Sequence, residues 1–348
     1  MNIITEGKAI LEHHEGTVSK ELPVFYNPDM KFNRDLSIHV INSIDKENMT
    51  LAFPMAGTGI RPLRFILESN QGKIAKVYMN DLSKDAIKHI KKQFKRNSLS
   101  WRKLQRKNLI EFSRTEANVF LMANAPMDYI DLDPFGYPGP FLDTAAKRAK
   151  HKGILAVTAT DTSALCGTYI KACMRKYLAV PLKGACMHET GLRILIRRVQ
   201  LAGLTYDKAL TPIYSISKDH YMRVFFKVEQ QKEKATNIFK QHGMYKTAGP
   251  LWTGKLWDTD LTSTVAAQDP ENKVLQTIAE EAQIEQLGYF HVHALCKKLK
   301  VNVPNNKPLF EAVQKKGYKI SRTHIALVGV RTNMPEEEFM EVIKSISN

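Results

Sequence analysis

The sequence predicts an α/β fold: a mostly parallel sheet flanked by helices, closed by a terminal antiparallel hairpin and followed by a smaller α+β unit. Three observations predict it. From Met49 onward, apolar runs of strand length alternate with helix-period segments, the pattern of successive βαβ units. The first run leads into Gly57-Thr58-Gly59, where two glycines permit a tight strand-to-helix turn. Two strand-like runs, Ala209 to Ile216 and His220 to Val228, meet at Ser217-Lys218-Asp219, which is a hairpin signal.

The 348 residues suffice for two domains with cores of their own, and 43% hydrophobic with 25% charged content fits a folded soluble chain. Fifty-one Lys and Arg against 35 Asp and Glu leave a net charge of +16, which points to a polyanionic partner, most simply nucleic acid. A basic proteome or an anionic membrane surface would give the same balance. The four cysteines, Cys166, Cys173, Cys186 and Cys296, form no CxxC pair and no zinc-like spacing, so neither a disulfide framework nor a structural metal is expected. With no signal-like start and no membrane-length apolar run, a cytoplasmic location is the expectation.

In chain order, residues 1–24 read as short strands or a hairpin. Val24-Phe25-Tyr26-Asn27-Pro28 places an aromatic pair before a turn. Asn33 then reads as the N-cap of a helix carrying Leu36, Val40 and Ile44. Arg34 falls in its first turn, where a cation opposes the helix dipole, so it is either an anion-binding group or a solvated surface residue. Met49 to Pro54 is the first central strand. Pro62, in the first turn of the helix after the glycines, stands where a dinucleotide fingerprint wants Gly, which disfavours pyrophosphate.

The next strand, Ile74 to Met79, ends in Asn80-Asp81. An acid about that far beyond a Gly-x-Gly turn accepts hydrogen bonds from ribose hydroxyls. Adenosine without pyrophosphate fits, and S-adenosylmethionine meets that description; Arg34 or Arg61 would match its carboxylate bidentately. Lys84 to Arg96 is a basic helix, and Lys91, Lys92, Lys95 and Arg96 read as a phosphate-contacting surface, continued by Arg102 to Lys107 past a loop carrying Trp101. Glu116-Ala117 offers an acid for an adenine amine and room for its ring, or is a plain loop acid.

Met127 to Asp133 reads as a buried strand that delivers Asp133 to its C-terminal tip, where open α/β sheets place their sites. Pro134 forces a turn. Asp133-Pro134-Phe135-Gly136 resembles the acid-Pro-Pro-aromatic turn of methyltransferases acting on exocyclic amines; an ordinary turn with a solvated Asp fits these residues too. Helix Phe141 to Lys150, strand Gly153 to Thr160 and helix Arg193 to Leu201 follow. A parallel sheet finishing in an antiparallel hairpin characterises class I methyltransferases rather than dehydrogenases.

Beyond the hairpin, Glu229 to Lys234 reads as a polar linker and Gly249 to Gly254 as a strand. Helices are expected at Lys273 to Ile284, Phe290 to Leu299 and Leu309 to Lys316, then a basic turn through Arg322 and a strand Ile325 to Val330. That order suggests a winged-helix-like unit, with Lys297, Lys298, Lys315, Lys316 and Arg322 as an RNA-positioning platform.

Several motifs together are similar to those of the tRNA (guanine(26)-N(2))-dimethyltransferases. They include Phe25-Tyr26-Asn27-Pro28, Asn33-Arg34-Asp35, Gly57-Thr58-Gly59-Ile60-Arg61, Asn80-Asp81 and Asp131-Leu132-Asp133-Pro134-Phe135-Gly136. Arg175-Lys176-Tyr177, His188-Glu189, Gly249-Pro250-Leu251-Trp252 and Arg322-Thr323-His324 belong to the same set. The resemblance implies a class I Rossmann-like methyltransferase with S-adenosylmethionine as cofactor, contacted by Arg34, Arg61, Asp81, Glu116 and Ala117. It implies tRNA as substrate, Asp133 at the catalytic centre, and Phe25 and Phe135 bracketing the guanine. Pro134 would add a carbonyl acceptor for the amine. The chain departs from the family at Phe53-Pro54, at Pro62 and at Glu116, and without zinc cysteines it looks like the archaeal form. The expected domains are a methyltransferase domain at 1–230 and a tRNA-positioning domain at 231–348. An amino-methyltransferase for another guanine or adenine in RNA or DNA, or a catalytically silent RNA-binding protein, are the alternatives.

Overall fold

A computed structural model describes residues 2–13 and 26–347. The chain forms two compact units: Met1–Ala159 with Val199–Thr211 and Arg223–Phe239, and Thr160–Arg198 with Pro212–Met222 and Lys240–Asn348.

At the N-terminus β1 (Asn2–Glu6) and β2 (Ala9–His13) pair antiparallel, as the hairpin reading expects. A short 3-10 turn at Pro28–Met30, capped by the Asn27 side chain, leads into α1 (Lys31–Ser43). The expected cap at Asn33 is thus corrected: Asn27 takes the capping role upstream, and Asn33 is buried inside the helix. The alternation that follows is β3 (Met49–Phe53), α2 (Ile60–Glu68), β4 (Ile74–Asn80), α3 (Lys84–Arg96), α4 (Trp101–Arg106) and β5 (Ile110–Ser113). Trp101 opens α4 rather than lying in a loop, because Ser100 caps a helix there. Then come α5 (Ala117–Ala123), β6 (Met127–Leu132), α6 (Gly139–Arg148), β7 (Ala149–Ala159), α7 (Thr162–Leu165), α8 (Ile170–Tyr177), α9 (Met187–Leu204), β8 (Lys208–Lys218) and β9 (Tyr221–Gln230).

The seven-stranded sheet has the order β5-β4-β3-β6-β7-β9-β8, and the pairings among β3 to β7 are parallel. Only Asp219 and His220 separate β8 from β9, so these neighbours run antiparallel. The chain moves outward from β3 to β4 and β5, then returns to β6 on the other side of β3. That reversal leaves a crevice between the C-terminal ends of β3 and β6, where such sheets bind ligands. Every residue of β6 is buried, and Phe53, Phe65 and Tyr129 pack as one aromatic cluster with centroids 5.2 to 6.2 Å apart.

The expected polar linker does not exist: Glu229 and Gln230 end β9, and α10 (Lys232–Lys240) begins at once. Its buried Ala235 and Ile238 stand at helical spacing, a stripe that shows only when the window extends past Lys234. Next, β10 (His242–Tyr245) pairs antiparallel with β11 (Ala248–Trp252), followed by α11 (Thr259–Gln268) and α12 (Lys273–Glu281). The chain ends with β12 (Phe290–His291), α13 (Val292–Leu299), α14 (Asn306–Lys315), β13 (Ile320–Arg322), β14 (Gly329–Thr332) and α15 (Glu336–Ile346). The sheet order β12-β14-β13 with this helix sequence is a winged-helix arrangement over a core of Val292, Leu309, Val313, Val330 and Phe339. The strand expected from Ile325 begins only at Gly329, because the preceding residues form the loop between β13 and β14, with Leu327 in solvent.

Gly59 caps α2 with φ of 77°, and a Cβ there would sit 2.6 Å from Ile90 Cγ1. Gly59→Ala should therefore cost at least about 1–2 kcal/mol from the left-handed conformation alone. Urea denaturation measures it; an unchanged midpoint would contradict this account of the turn.

Candidate active site

The C-terminal ends of β3, β4, β5 and β6 carry Gly57 and Gly59, Asp81, Glu116 and Ala117, and Asp133 and Pro134 respectively, so the sheet sets these expected site residues along one edge. Two of the groups touch. Gly57 N–H donates to Asp81 Oδ2 at 2.9 Å, and Ser83 N–H donates to Oδ1 at 2.9 Å, which fixes the carboxylate against the glycine turn. Asn80, buried beneath it, holds the Pro54 carbonyl and both the carbonyl and N–H of Thr115, tying the ends of β3, β4 and β5 together.

Arg61 makes the second contact, to Asp133 Oδ2. Its Nη1 donates to Asn33 Oδ1 (2.8 Å) and Ser37 Oγ (3.0 Å), and its Nε lies 3.7 Å from Asp131 Oδ1. Asp131 is fully buried against Arg223, whose Nη1 and Nη2 reach its two oxygens at 2.9 and 2.7 Å. Tyr129 O–H donates to Asp131 Oδ2 at 2.6 Å, and Arg223 also donates to Thr158 Oγ1 and Ser37 Oγ. Burial alone would raise the Asp131 carboxyl, but the Arg223 and Arg61 guanidiniums outweigh it and hold it down to about 2. Sequence reasoning missed Arg223, Tyr129 and Ser37 and placed no role on Asp131. A signal existed: Arg223 interrupts Tyr221 to Phe226 as Asp131 interrupts Tyr129 to Leu132, and opposite charges in two buried strands must be paired.

Arg34 has a carboxylate partner within the protein. It is buried in a bidentate pair with Glu6 of the N-terminal hairpin (2.7 and 2.6 Å) and donates to Asn27 O. Arg64 joins the same carboxylate at 2.9 Å. Burial would raise Glu6; Arg34 and Arg64 bring it down to about 2. Glu116 is the N-cap of α5, its side chain accepting from Asn118 N–H and Val119 N–H, and Ala117 behind it is buried. Pro134 is buried, whereas the Phe135 ring is 47% exposed beside Gly136, which takes φ of 73°. Phe25 lies outside the described residues.

The four cations chosen on α3 are not equivalent. Glu12 of the hairpin pairs with both Lys92 and Arg96, and Lys91 sits 4.7 Å over the Trp101 ring and 5.1 Å over Phe112. Lys95 is exposed. Arg322 is exposed on β13, an edge strand of the winged-helix sheet.

The residues fit a ligand with a carboxylate and a purine nucleoside, such as the S-adenosylmethionine implied by the resemblance. Asn33 Nδ2 is a buried donor with no partner among the described residues, beside the Arg61 guanidinium that Asn33 Oδ1 already accepts from. Asn118 Oδ1 is a buried acceptor with no partner among the described residues, while its Nδ2 donates to Glu116 and Pro140 O. Leu82, next to Asp81, leaves an apolar side chain 71% exposed for a ring to cover. Cysteine chemistry has no support: Cys166 lies 3.4 Å from His188 Nδ1, yet burial pushes the thiol up to about 12 and lowers His188.

Arg223→Met should cost about 3–5 kcal/mol, since it strands the Asp131 charge in the core, and Arg223→Met with Asp131→Leu should recover much of it. The pH dependence has a definite sign. Carboxyls with folded values held near 2, Asp131 and Glu6, contribute stability that is complete above their ordinary values of 3.8 and 4.5 and lost as pH falls toward 2. A stability that stayed flat from pH 5 to pH 2 would refute this assignment.

The sequence pattern of a family described as N2,N2-dimethylguanosine tRNA methyltransferase matches residues 5–247 and 242–344. The tRNA (guanine(26)-N(2)/guanine(27)-N(2))-dimethyltransferase of Aquifex aeolicus is 36% identical over 99% of this chain and 96% of its own length. The tRNA (guanine(26)-N(2))-dimethyltransferase of Pyrococcus horikoshii is 34% identical over 99% and 98%. A solved structure of Trm1 from Pyrococcus horikoshii with S-adenosyl-L-methionine superposes with a TM-score of 0.87 at 30% identity, covering 99% of this chain and all of that one.

Proposed function

The chain belongs to the family of N2,N2-dimethylguanosine tRNA methyltransferases, and from that premise we propose that it methylates the exocyclic N2 of guanine 26 in tRNA, giving N2-methyl- and then N2,N2-dimethylguanine. S-adenosylmethionine supplies the electrophilic methyl group on its sulfonium. The observation that carries the reading is Asp133 at the tip of the buried strand β6, ion-paired to Arg61 and followed by buried Pro134 and exposed Phe135.

Guanine N2 is a weak nucleophile because its lone pair is delocalised into the ring. An acceptor on each amine proton turns the lone pair toward the methyl group, and Asp133 with the Pro134 carbonyl provides two acceptors. Arg61 engages Oδ2 and so orients the carboxylate, leaving Oδ1 for the amine. As the N–C bond forms and the sulfonium C–S bond breaks, N2 sheds one proton to the Asp133 carboxylate, which is partly open to solvent and passes it on. The single N–H that remains then goes to Asp133, the stronger acceptor, and the new methyl group lies toward Pro134. In-line positioning contributes ~7–11 kcal/mol for an ideal geometry, so no covalent enzyme intermediate is required. Phe135, with Phe25, replaces the stacking that guanine loses on leaving the tRNA helix.

Asp81 accepts from the ribose, Asn33 and Arg61 take the cofactor carboxylate, and Arg34, held by Glu6, orders the adjoining turn around Asn27. Residues 231–348 position the tRNA, with Arg322 on the exposed β13 edge among their phosphate contacts.

Asp133→Ala should lower methyl transfer at least about 10²-fold while cofactor affinity stays within a few-fold. Mass spectrometry of nucleosides after incubation with unmodified tRNA, ribosomal RNA and DNA reads both product and substrate class; full turnover by the variant, or product on DNA alone, would defeat the proposal. On α3, Lys95→Gln should lower the salt slope of tRNA binding by about one unit, and Lys92→Gln by less because Glu12 already neutralises that cation. Equal slopes for the two variants would remove Glu12 from this account.

A further inference from the structure

Helix α8 carries an exposed face that neither the fold nor the methyl-transfer site explains. Tyr169, Ile170, Met174 and Leu178 are 62, 46, 49 and 56% exposed, and the last three recur at the i, i+4 spacing of one helical stripe. Lys171 and Arg175 form the neighbouring stripe and are exposed too. No acidic residue occurs between Asp161 and Glu189, and of the α8 cations Lys176 is paired with Asp161.

The face is also held rigid. Arg197 Nη1 donates to Leu178 O at 3.2 Å and Arg198 Nε to Lys176 O at 3.3 Å, while Val180 and Gly249 exchange backbone hydrogen bonds at 2.7 and 2.8 Å. Leu178 caps the helix with φ of 55°, a left-handed conformation that Gly or Asn adopts with less strain. A strained, exposed leucine on a fixed backbone does nothing for internal packing.

We propose that α8 and its C-terminal cap form a contact surface for the RNA substrate, in which Tyr169, Ile170, Met174 and Leu178 cover unpaired or unstacked bases and Lys171 and Arg175 hold the adjacent phosphates. This rests on the tRNA reading above. Bases offer apolar faces and phosphates offer the negative charge that this surface lacks. A second copy of the chain is a poor occupant, because a two-fold interface would bring Lys171 and Arg175 against their own like charges.

The test uses the full chain and unmodified tRNA. Met174→Ser with Leu178→Asn removes apolar surface while putting Asn where the left-handed conformation suits it, so the fold is preserved; Lys171→Gln with Arg175→Gln removes charge. The first pair should weaken tRNA binding about tenfold and raise KM with kcat nearly unchanged. The second should lower the salt slope by roughly two. Cofactor affinity should equal wild type in both. Wild-type tRNA affinity in either variant overturns the proposal, as does a wild-type dimer dissolved by the substitutions, or loss of binding to anionic phospholipid vesicles with tRNA binding intact. If the wild-type protein itself leaves tRNA unmethylated, the functional reading fails with it; if it methylates tRNA and the variants match it, only the α8 surface is refuted.

Discussion

The buried pair of Arg223 and Asp131 is the constraint on which the candidate site depends. Two full charges removed from water are tolerated only when most of their hydrogen-bonding capacity is met; here Tyr129, Thr158 and Ser37 join the pair, and Arg223 Nε alone of its nitrogens lacks a partner among the described residues. The partners come from α1, β6 and β7, so one guanidinium fastens three elements to its own strand, β9. Side chains alternate along a strand, so Tyr129 and Asp131 share one side of β6, and Asp133, the residue just past its end, meets the same Arg61 that lies beside Asp131. Pinning Asp131 pins the register of that strand, and the carboxylate two residues on is delivered to the sheet edge in a fixed place. Ser37 extends the same order: its hydroxyl donates to Asn33 O and accepts from both Arg61 and Arg223, which uses its one donor and two acceptor sites.

The alternation of strands and helices was legible because each central strand is a short apolar run and each helix has its own period. The glycine turn, Asp81 and Asp133 were legible for a related reason: all lie directly after a strand, so strand assignment alone places them on one edge. What stayed hidden was pairing across distance. Arg34 reads as an anion site in its own helix, but its anion is Glu6, 28 residues upstream. The one-sign run on α3 reads as an open phosphate surface, yet Glu12, about 80 residues away in sequence, neutralises two of its members. Charge patterning within a segment cannot report a counter-ion brought by another element. The false linker at Glu229 had a different origin, a window that closed one helical turn too soon.

The second unit solves the same electrostatic problem independently. Arg331 is buried between Glu189 (2.7 Å) and Glu281 (3.0 Å), Arg193 pairs with Glu189 at 2.8 Å, and His324 contacts Glu281. Burial would raise Glu189, but Arg331 and Arg193 outweigh it and hold it near 2. Glu189 and His324 belong to the motifs on which the sequence resemblance rests, His188-Glu189 and Arg322-Thr323-His324. In this chain they act on structure: they join α9, α12 and the winged-helix sheet through charge. In this chain a motif that carries the resemblance stands either at the candidate site or in a buried ion network, and burial separates the two. Asp133 is partly open to solvent, whereas Glu189 and Glu281 are not.

Two departures from the family pattern resolve as chemistry of helix starts. Pro62 is the third residue of α2, where the N–H it lacks would have had no intrahelical partner. Glu116 raises a harder question, because capping α5 and binding an adenine amine compete for one carboxylate. The two oxygens divide the work. Oε2 accepts from Asn118 N–H at 2.7 Å and Val119 N–H at 3.0 Å, whereas Oε1 accepts only from Asn118 Nδ2 at 3.1 Å. Asn118 Nδ2 faces two acceptors, Glu116 Oε1 and Pro140 O, an arrangement that favours this orientation of the amide and leaves its Oδ1 without a partner among the described residues. The start of α5 thus keeps acceptor capacity on Glu116 Oε1 and Asn118 Oδ1 after the helix is capped, so the longer acid serves the helix without spending both its oxygens on it.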